Sequence, residues 1–173
     1  MFRHKRPALG VLMAMAIGLV VAAPVAAATP TRMVDELHSF VLKAGSFCAF
    51  AVAGQPEWGF SATTVLPDGR IQYSVRAHGA YINMETGATD PTADNYRETD
   101  RVDEATGNLI GSTSGETTFY LHPGDIGPIG VVTTSSGGLY HIVGTASYTL
   151  DSDYRTLAFS YNGTVENICA ALS

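Results

Sequence analysis

From Cys48 onward, apolar and polar residues alternate with a period of two. In Arg70–His78, Ile71, Tyr73, Val75 and Ala77 fall on one face, with Gln72, Ser74, Arg76 and His78 on the other. In Tyr154–Asn162, Leu157, Phe159 and Tyr161 alternate with Thr156, Ala158, Ser160 and Asn162. A strand with one buried and one wet face has this rhythm. Further strands are predicted over 48–53, 58–66, 79–85, 95–103, 108–113, 116–122, 130–135 and 138–150. Turn chemistry separates the runs: Pro67-Asp68-Gly69, Thr86-Gly87, Thr106-Gly107-Asn108, Ser136-Gly137-Gly138 and Asp151-Ser152-Asp153. Many short strands broken by turns predict an all-β fold. The architecture expected is a single small antiparallel β-barrel, with a β-sandwich as the alternative. Tyr73, Val75, Phe119, Leu121, Leu157, Phe159 and Tyr161 share one parity, which predicts an interior filled by side chains.

One stretch has a different period. In Thr31–Gly45, Met33, Leu37, Phe40 and Val41 form a helical stripe, and Gly45 suits a helix end. The same residues also read as an extended arm leading into the first strand. Before it, Arg3, His4, Lys5 and Arg6 precede the apolar run Val11–Val21 and a series of small residues ending near Ala28. This is the grammar of a signal peptide, expected over 1–28, leaving a single domain over 29–173. A secreted, extracellular protein follows from that reading.

Charge narrows the partners. Three of the ten Lys and Arg and none of the sixteen Asp and Glu lie in residues 1–28, so the remainder carries a net charge of −9. Such a domain repels nucleic acid and anionic lipid surfaces. No second apolar run reaches membrane length, so the processed chain is not expected to span a membrane. Its only cysteines, Cys48 and Cys169, form an even pair in a chain expected to be exported, which predicts one disulfide joining the two ends of the domain.

Several landmarks occur together: Ala44–Phe50 (AGSFCAF), Leu66–Arg70 (LPDGR), Asn83–Gly87 (NMETG), Pro123–Pro128 (PGDIGP), Gly138–Gly144 (GLYHIVG) and a closing Cys169–Leu172 (CAAL). In this order the chain resembles a group of small secreted actinobacterial β-domain proteins of unassigned activity. The resemblance implies a compact β-domain with the cysteines near opposite ends, and an extended conformation for residues 40–47. It carries over no catalytic residue, and the acidic stretch 88–107 departs from it.

Candidate chemistry is sparse. Gly111–Gly115 (GSTSG) has Thr113 where a nucleophile elbow needs serine, and reads as a hairpin turn. His122 and Asp125 are candidates to converge with His78 or His141 on a metal or substrate, but no metal-binding spacing supports them. Residues 85–104 hold seven of the sixteen acids. They lack the calcium-loop pattern, and with Arg97 and Arg101 interleaved they read as a solvated, self-compensated excursion. Asn162-Gly163-Thr164 reads as a turn. No cofactor and no metal site are predicted. The expected function is non-enzymatic binding of a small apolar ligand or a cell-envelope partner. The alternative is a small barrel enzyme of cyclase or isomerase type, for which the candidate catalytic residues are His78, Tyr81, Glu116, His122 and His141.

Overall fold

The computed structural model describes residues 31–173; the expected signal peptide lies outside the described residues. The strands are β1 (Thr31–Glu36), β2 (Phe40–Leu42), β3 (Val52–Val65), β4 (Ile71–Asn83), β5 (Thr89–Val102), β6 (Leu109–Leu121), β7 (Ile126–Gly127), β8 (Gly130–Val131), β9 (Gly138–Leu150) and β10 (Thr156–Asn167). A single turn of helix, α1 (Ile168–Ala171), ends the chain. The fold is all-β, as the alternation requires. One antiparallel sheet runs β1-β3-β4-β5-β6-β9-β10, with β2 also pairing with β3, and β7 and β8 form a separate ribbon.

The arm before Cys48 is extended and contains no helix. Thr31–Glu36 pairs with Phe60–Val65, and Phe40–Leu42 pairs with Val52–Gly54. A short helix with one apolar stripe gains little alone. An open sheet edge instead satisfies the main chain of the arm and gives Phe40 a seat. Its ring lies over Gly54, where any Cβ would overlap it.

Several segments expected to be separate strands are continuous. Residues 71–83 form one strand, and β6 runs straight through Gly111–Gly115, which is therefore not a hairpin turn. Asn162–Thr164 likewise lies within β10. These glycines do not turn the chain back; they bend the sheet. Gly115 pairs with Gly144, and Gly144 with Gly163, making a glycine row across three strands. Their φ angles are +124°, +146° and +140°. A side chain at any of the three would be strained and would overlap a neighbouring backbone oxygen.

The pairing changes at this row. β5 and β6 pair from Val102↔Leu109 to Asn95↔Glu116 and then part, while β6, β9 and β10 stay paired beyond it. The upper halves of these three strands thus lean over the upper half of β2–β5. The main core lies between the two layers, where Cys48, Val52, Tyr81, Leu139, Ile168 and Leu172 pack together. A second cluster, Leu121, Val132 and Tyr140, lies where residues 122–137 cover the other face of β6 and β9.

The expected closed barrel is not formed by strand pairing, because β10 pairs only with β9 and the β1/β2 edge pairs only with β3. The ends meet in another way. Cys48 and Cys169 form a disulfide, with Cα atoms 5.4 Å apart at a sequence separation of 121. The buried Asn83 side chain donates to the Leu172 carbonyl at 3.0 Å. Without full closure the interior is not filled by side chains. Phe159 is half-buried at the rim of an open cleft, and Leu157 is exposed.

Candidate functional site

Alternation along β5 separates its charges. Thr92, Asp94, Tyr96, Glu98 and Asp100 lie on the concave face, and Arg97 and Arg101 on the opposite one. The acidic stretch is therefore a central strand and its following turn, not a self-compensated excursion. Two separate recesses make use of the concave face.

The first recess lies between the arm and β4–β5. Leu37, Phe40, Pro56, Ala77 and Tyr81 give it apolar walls, and Thr92 and Asp94 lie at its polar end. It is open to solvent on one side and has room for about 120 Å³. Beside Asp94 the two layers are joined by a hydrogen-bond chain. The Thr118 hydroxyl donates to Asp94 Oδ1 at 3.2 Å and lies 3.3 Å from His141 Nδ1. The Tyr81 and Tyr120 hydroxyls are 2.8 Å apart. Burial raises the Asp94 pKa above the usual carboxylate range, against the opposing pull of His141 and Thr118. Burial also raises the pKa of the Tyr81 hydroxyl.

The second recess lies across the lower sheet. Tyr96, Phe119, Tyr148, Tyr154 and Phe159 wall it, and Glu98 lies within it. The buried Tyr148 hydroxyl donates to Asp100 Oδ1 at 3.0 Å, and its ring lies over Gly111. Phe119 meets Tyr148 and Phe159 edge to face, at centroid distances of 5.7 and 5.0 Å. Burial and the neighbouring Asp100 push the Glu98 carboxyl up to about 7, and burial also raises Asp100.

Of the five residues singled out from the sequence, Tyr81 and His78 line the first recess, and His141 lies behind its Asp94 through Thr118. Glu116 and His122 lie elsewhere. His78 is exposed and bonded to Glu57 at 3.1 Å, and with Glu116, Trp58 and Arg76 it lines a shallow groove. His122 packs on the Phe47 ring at 5.0 Å. Asp125 is not a ligand candidate but a buried staple. It accepts from Arg155 Nε at 2.7 Å, from the His122 backbone at 2.7 Å and from the Thr156 backbone at 3.3 Å, which ties residues 122–137 to the start of β10. Among the described residues no group of three His, Cys, Asp or Glu side chains is placed to hold a metal ion. No described helix is long and apolar enough to cross a membrane. Sequence reasoning missed Asp94, Glu98, Asp100, Thr118 and Tyr148 as site residues. The available signal was the period-two placement of Asp94, Glu98 and Asp100 on one face of 89–102.

The tyrosine pair gives a direct check on this geometry. Tyr81→Phe removes a part-buried hydrogen bond and is expected to lower stability by about 1 kcal/mol, measured by equilibrium denaturation. No measurable change would mean that the two hydroxyls do not pair.

Compared with protein-family models, curated proteins and solved structures, the chain matches none of them.

Proposed function

We propose that this is a secreted, non-enzymatic binding protein that holds a small, mainly apolar molecule between its arm and β4–β5, the curled sheet serving as a barrel would. The observation that carries this reading is the first recess. It has mainly apolar walls, with Thr92 and Asp94 at one end and the exposed His38, Gln55 and His78 along its lining, the composition of a small-molecule site. The polar groups behind it are hydrogen-bonded to one another: Tyr81 to Tyr120, and Thr118 to Asp94 and His141. That arrangement fixes a shape more readily than it supplies a free nucleophile. Export is supported by the basic, apolar and small-residue order of residues 1–28 and by a disulfide, which suits an oxidising compartment.

The enzyme alternative draws on one observation, the placing of His78, Tyr81 and Asp94 around one recess with His141 behind Asp94. The binding reading is tested with the neutral apolar fluorophore N-phenyl-1-naphthylamine. Its fluorescence should rise on addition of the protein. Ala77→Leu, which fills the recess, should weaken binding about tenfold or more. Asp94→Asn should leave the fluorophore bound. An unchanged affinity in the Ala77→Leu variant overturns the proposal. Turnover of a bound molecule that is abolished by Asp94→Asn would move the assignment to the enzyme alternative.

A further inference from the structure

Three cross-strand rows lie side by side on the concave face of the lower sheet. The first is Phe159–Tyr148–Gly111–Asp100, the second Tyr161–Ala146–Thr113–Glu98–Tyr73, and the third Gly163–Gly144–Gly115–Tyr96–Val75. Paired residues in an antiparallel sheet point to the same side. The middle of this face has a floor formed by Gly111, Thr113, Gly115, Gly144 and Ala146. Of these, Gly111, Thr113 and Ala146 are buried beneath the aromatic residues, and the open part of the face is the cleft at Tyr96, Glu98, Phe119, Tyr148 and Phe159.

Two features of this floor are unexplained by folding alone. Glu98 and Asp100 are neighbouring carboxyl groups, and among the described residues neither has a cationic partner. The arginines of the same strand, Arg97 and Arg101, are on the other face. The groups around the carboxyl pair are Tyr73 on β4, Tyr96 on β5, Tyr148 on β9 and Tyr154 in the β9–β10 turn, none of them a cation. The second feature is Thr113, the direct cross-strand partner of Glu98. It is 4% exposed, and its hydroxyl oxygen has no hydrogen-bond partner. An orphaned buried hydroxyl beside an uncompensated carboxyl pair is missing a polar counterpart.

We propose that this surface, built on Tyr96, Glu98, Asp100, Thr113 and Tyr148, binds an organic ammonium ion with an aromatic or apolar body. The ammonium group supplies the positive charge that Glu98 and Asp100 lack, and N–H donors for a carboxylate and for the Thr113 oxygen. The faces of Tyr96 and Tyr148 are chemically suited to a cation, and Phe119 and Phe159 to its apolar body. A metal ion is a poorer fit, because hard cations need more oxygen ligands than two carboxyls and a hydroxyl provide. This site is separate from the recess by the arm and does not depend on the function assigned there.

The cation stabilises the ionised carboxylate, so binding should draw the Glu98 pKa below about 7 and release a proton. Affinity therefore rises with pH. A downward shift of one unit makes binding about sevenfold tighter at pH 8 than at pH 5.5.

The test is isothermal titration of the full exported domain with phenethylammonium chloride, 2-phenylethanol and calcium chloride. The expected result is binding of the ammonium ion, with the neutral alcohol about tenfold weaker or more. Glu98→Gln should lose about tenfold or more at pH 8, and its pH dependence should flatten. Thr113→Val, nearly isosteric, should weaken the ammonium ion several-fold without unfolding the sheet, as checked by circular dichroism. N-phenyl-1-naphthylamine binding by the arm should be unchanged in both variants. The proposal is overturned if the alcohol binds as well as the ammonium ion, if only calcium binds, if no titrant binds, or if Glu98→Gln leaves the affinity unchanged.

Discussion

Replacing both Cys48 and Cys169 by alanine is expected to lower the unfolding free energy by about 2–5 kcal/mol. The expectation follows from the open sheet. One edge is formed by β1 and β2 against β3, the other by β10, and no strand pairing joins them. The disulfide closes a loop of 121 residues, for which chain entropy alone gives about 5 kcal/mol as an upper figure. It also lies in the main core, where Cys48 packs with Val52, Tyr81, Leu139, Ile168 and Leu172. Losing the link frees α1 to fray, and with it the Asn83–Leu172 hydrogen bond. Urea denaturation of the parent and the double variant measures the effect, with the slope reporting any change in the exposed surface. A difference below about 1 kcal/mol, well under the usual range, would mean that the core holds the ends together without the bridge.

What the sequence reveals and what it hides divide along physical lines. Alternation is a local property, so the strands around Tyr73 and Phe159 and the turns at Gly69, Gly87, Gly107 and Gly137 are legible directly. The disulfide is legible because two cysteines allow only one intramolecular pairing. The arm is ambiguous because its helical stripe is short, and the choice is made by a sheet edge far away in sequence. Gly115 and Gly163 mislead for a related reason. Glycine with positive φ serves both hairpins and bent strands, and only the pairing of three such glycines across β6, β9 and β10 identifies the bend. That bend creates the second recess and brings Thr118 and His141 to Asp94, so neither could be found before it. The leaning layers bring His141 to Asp94, behind the recess that Tyr81 and His78 line, whereas Glu116 and His122 stay outside it. The acids of β5 were visible, but their segregation from Arg97 and Arg101 appears only once the segment is recognised as a strand.

Glu98→Gln is expected to make the unliganded protein more stable than the parent at pH 8, by up to about 3 kcal/mol. The folded-state pKa of Glu98 is raised from 4.5 to about 7, chiefly by burial and then by Asp100. A raised carboxyl pKa means that the folded protein holds its proton more tightly than the unfolded chain. That contribution to stability is fully present below about pH 4.5, falls as pH rises, and is lost above about 7, where the folded state must carry the buried charge. Glutamine has no such charge, so the variant should match the parent near pH 4 and exceed it increasingly towards pH 8. Asp100 is also raised by burial, while its hydrogen bond with Glu98 lowers it, a donor role that the glutamine amide can keep. Denaturant titrations at pH 4, 6 and 8 give the answer. A stability difference independent of pH, or a parent more stable at pH 8, would show that Glu98 ionises without penalty. The predicted gain also sharpens the binding test, because a variant that is more stable yet no longer takes up the ammonium ion has lost a ligand contact and not its fold. A carboxyl pair that weakens the free protein at neutral pH is what a site retained for a cationic ligand requires.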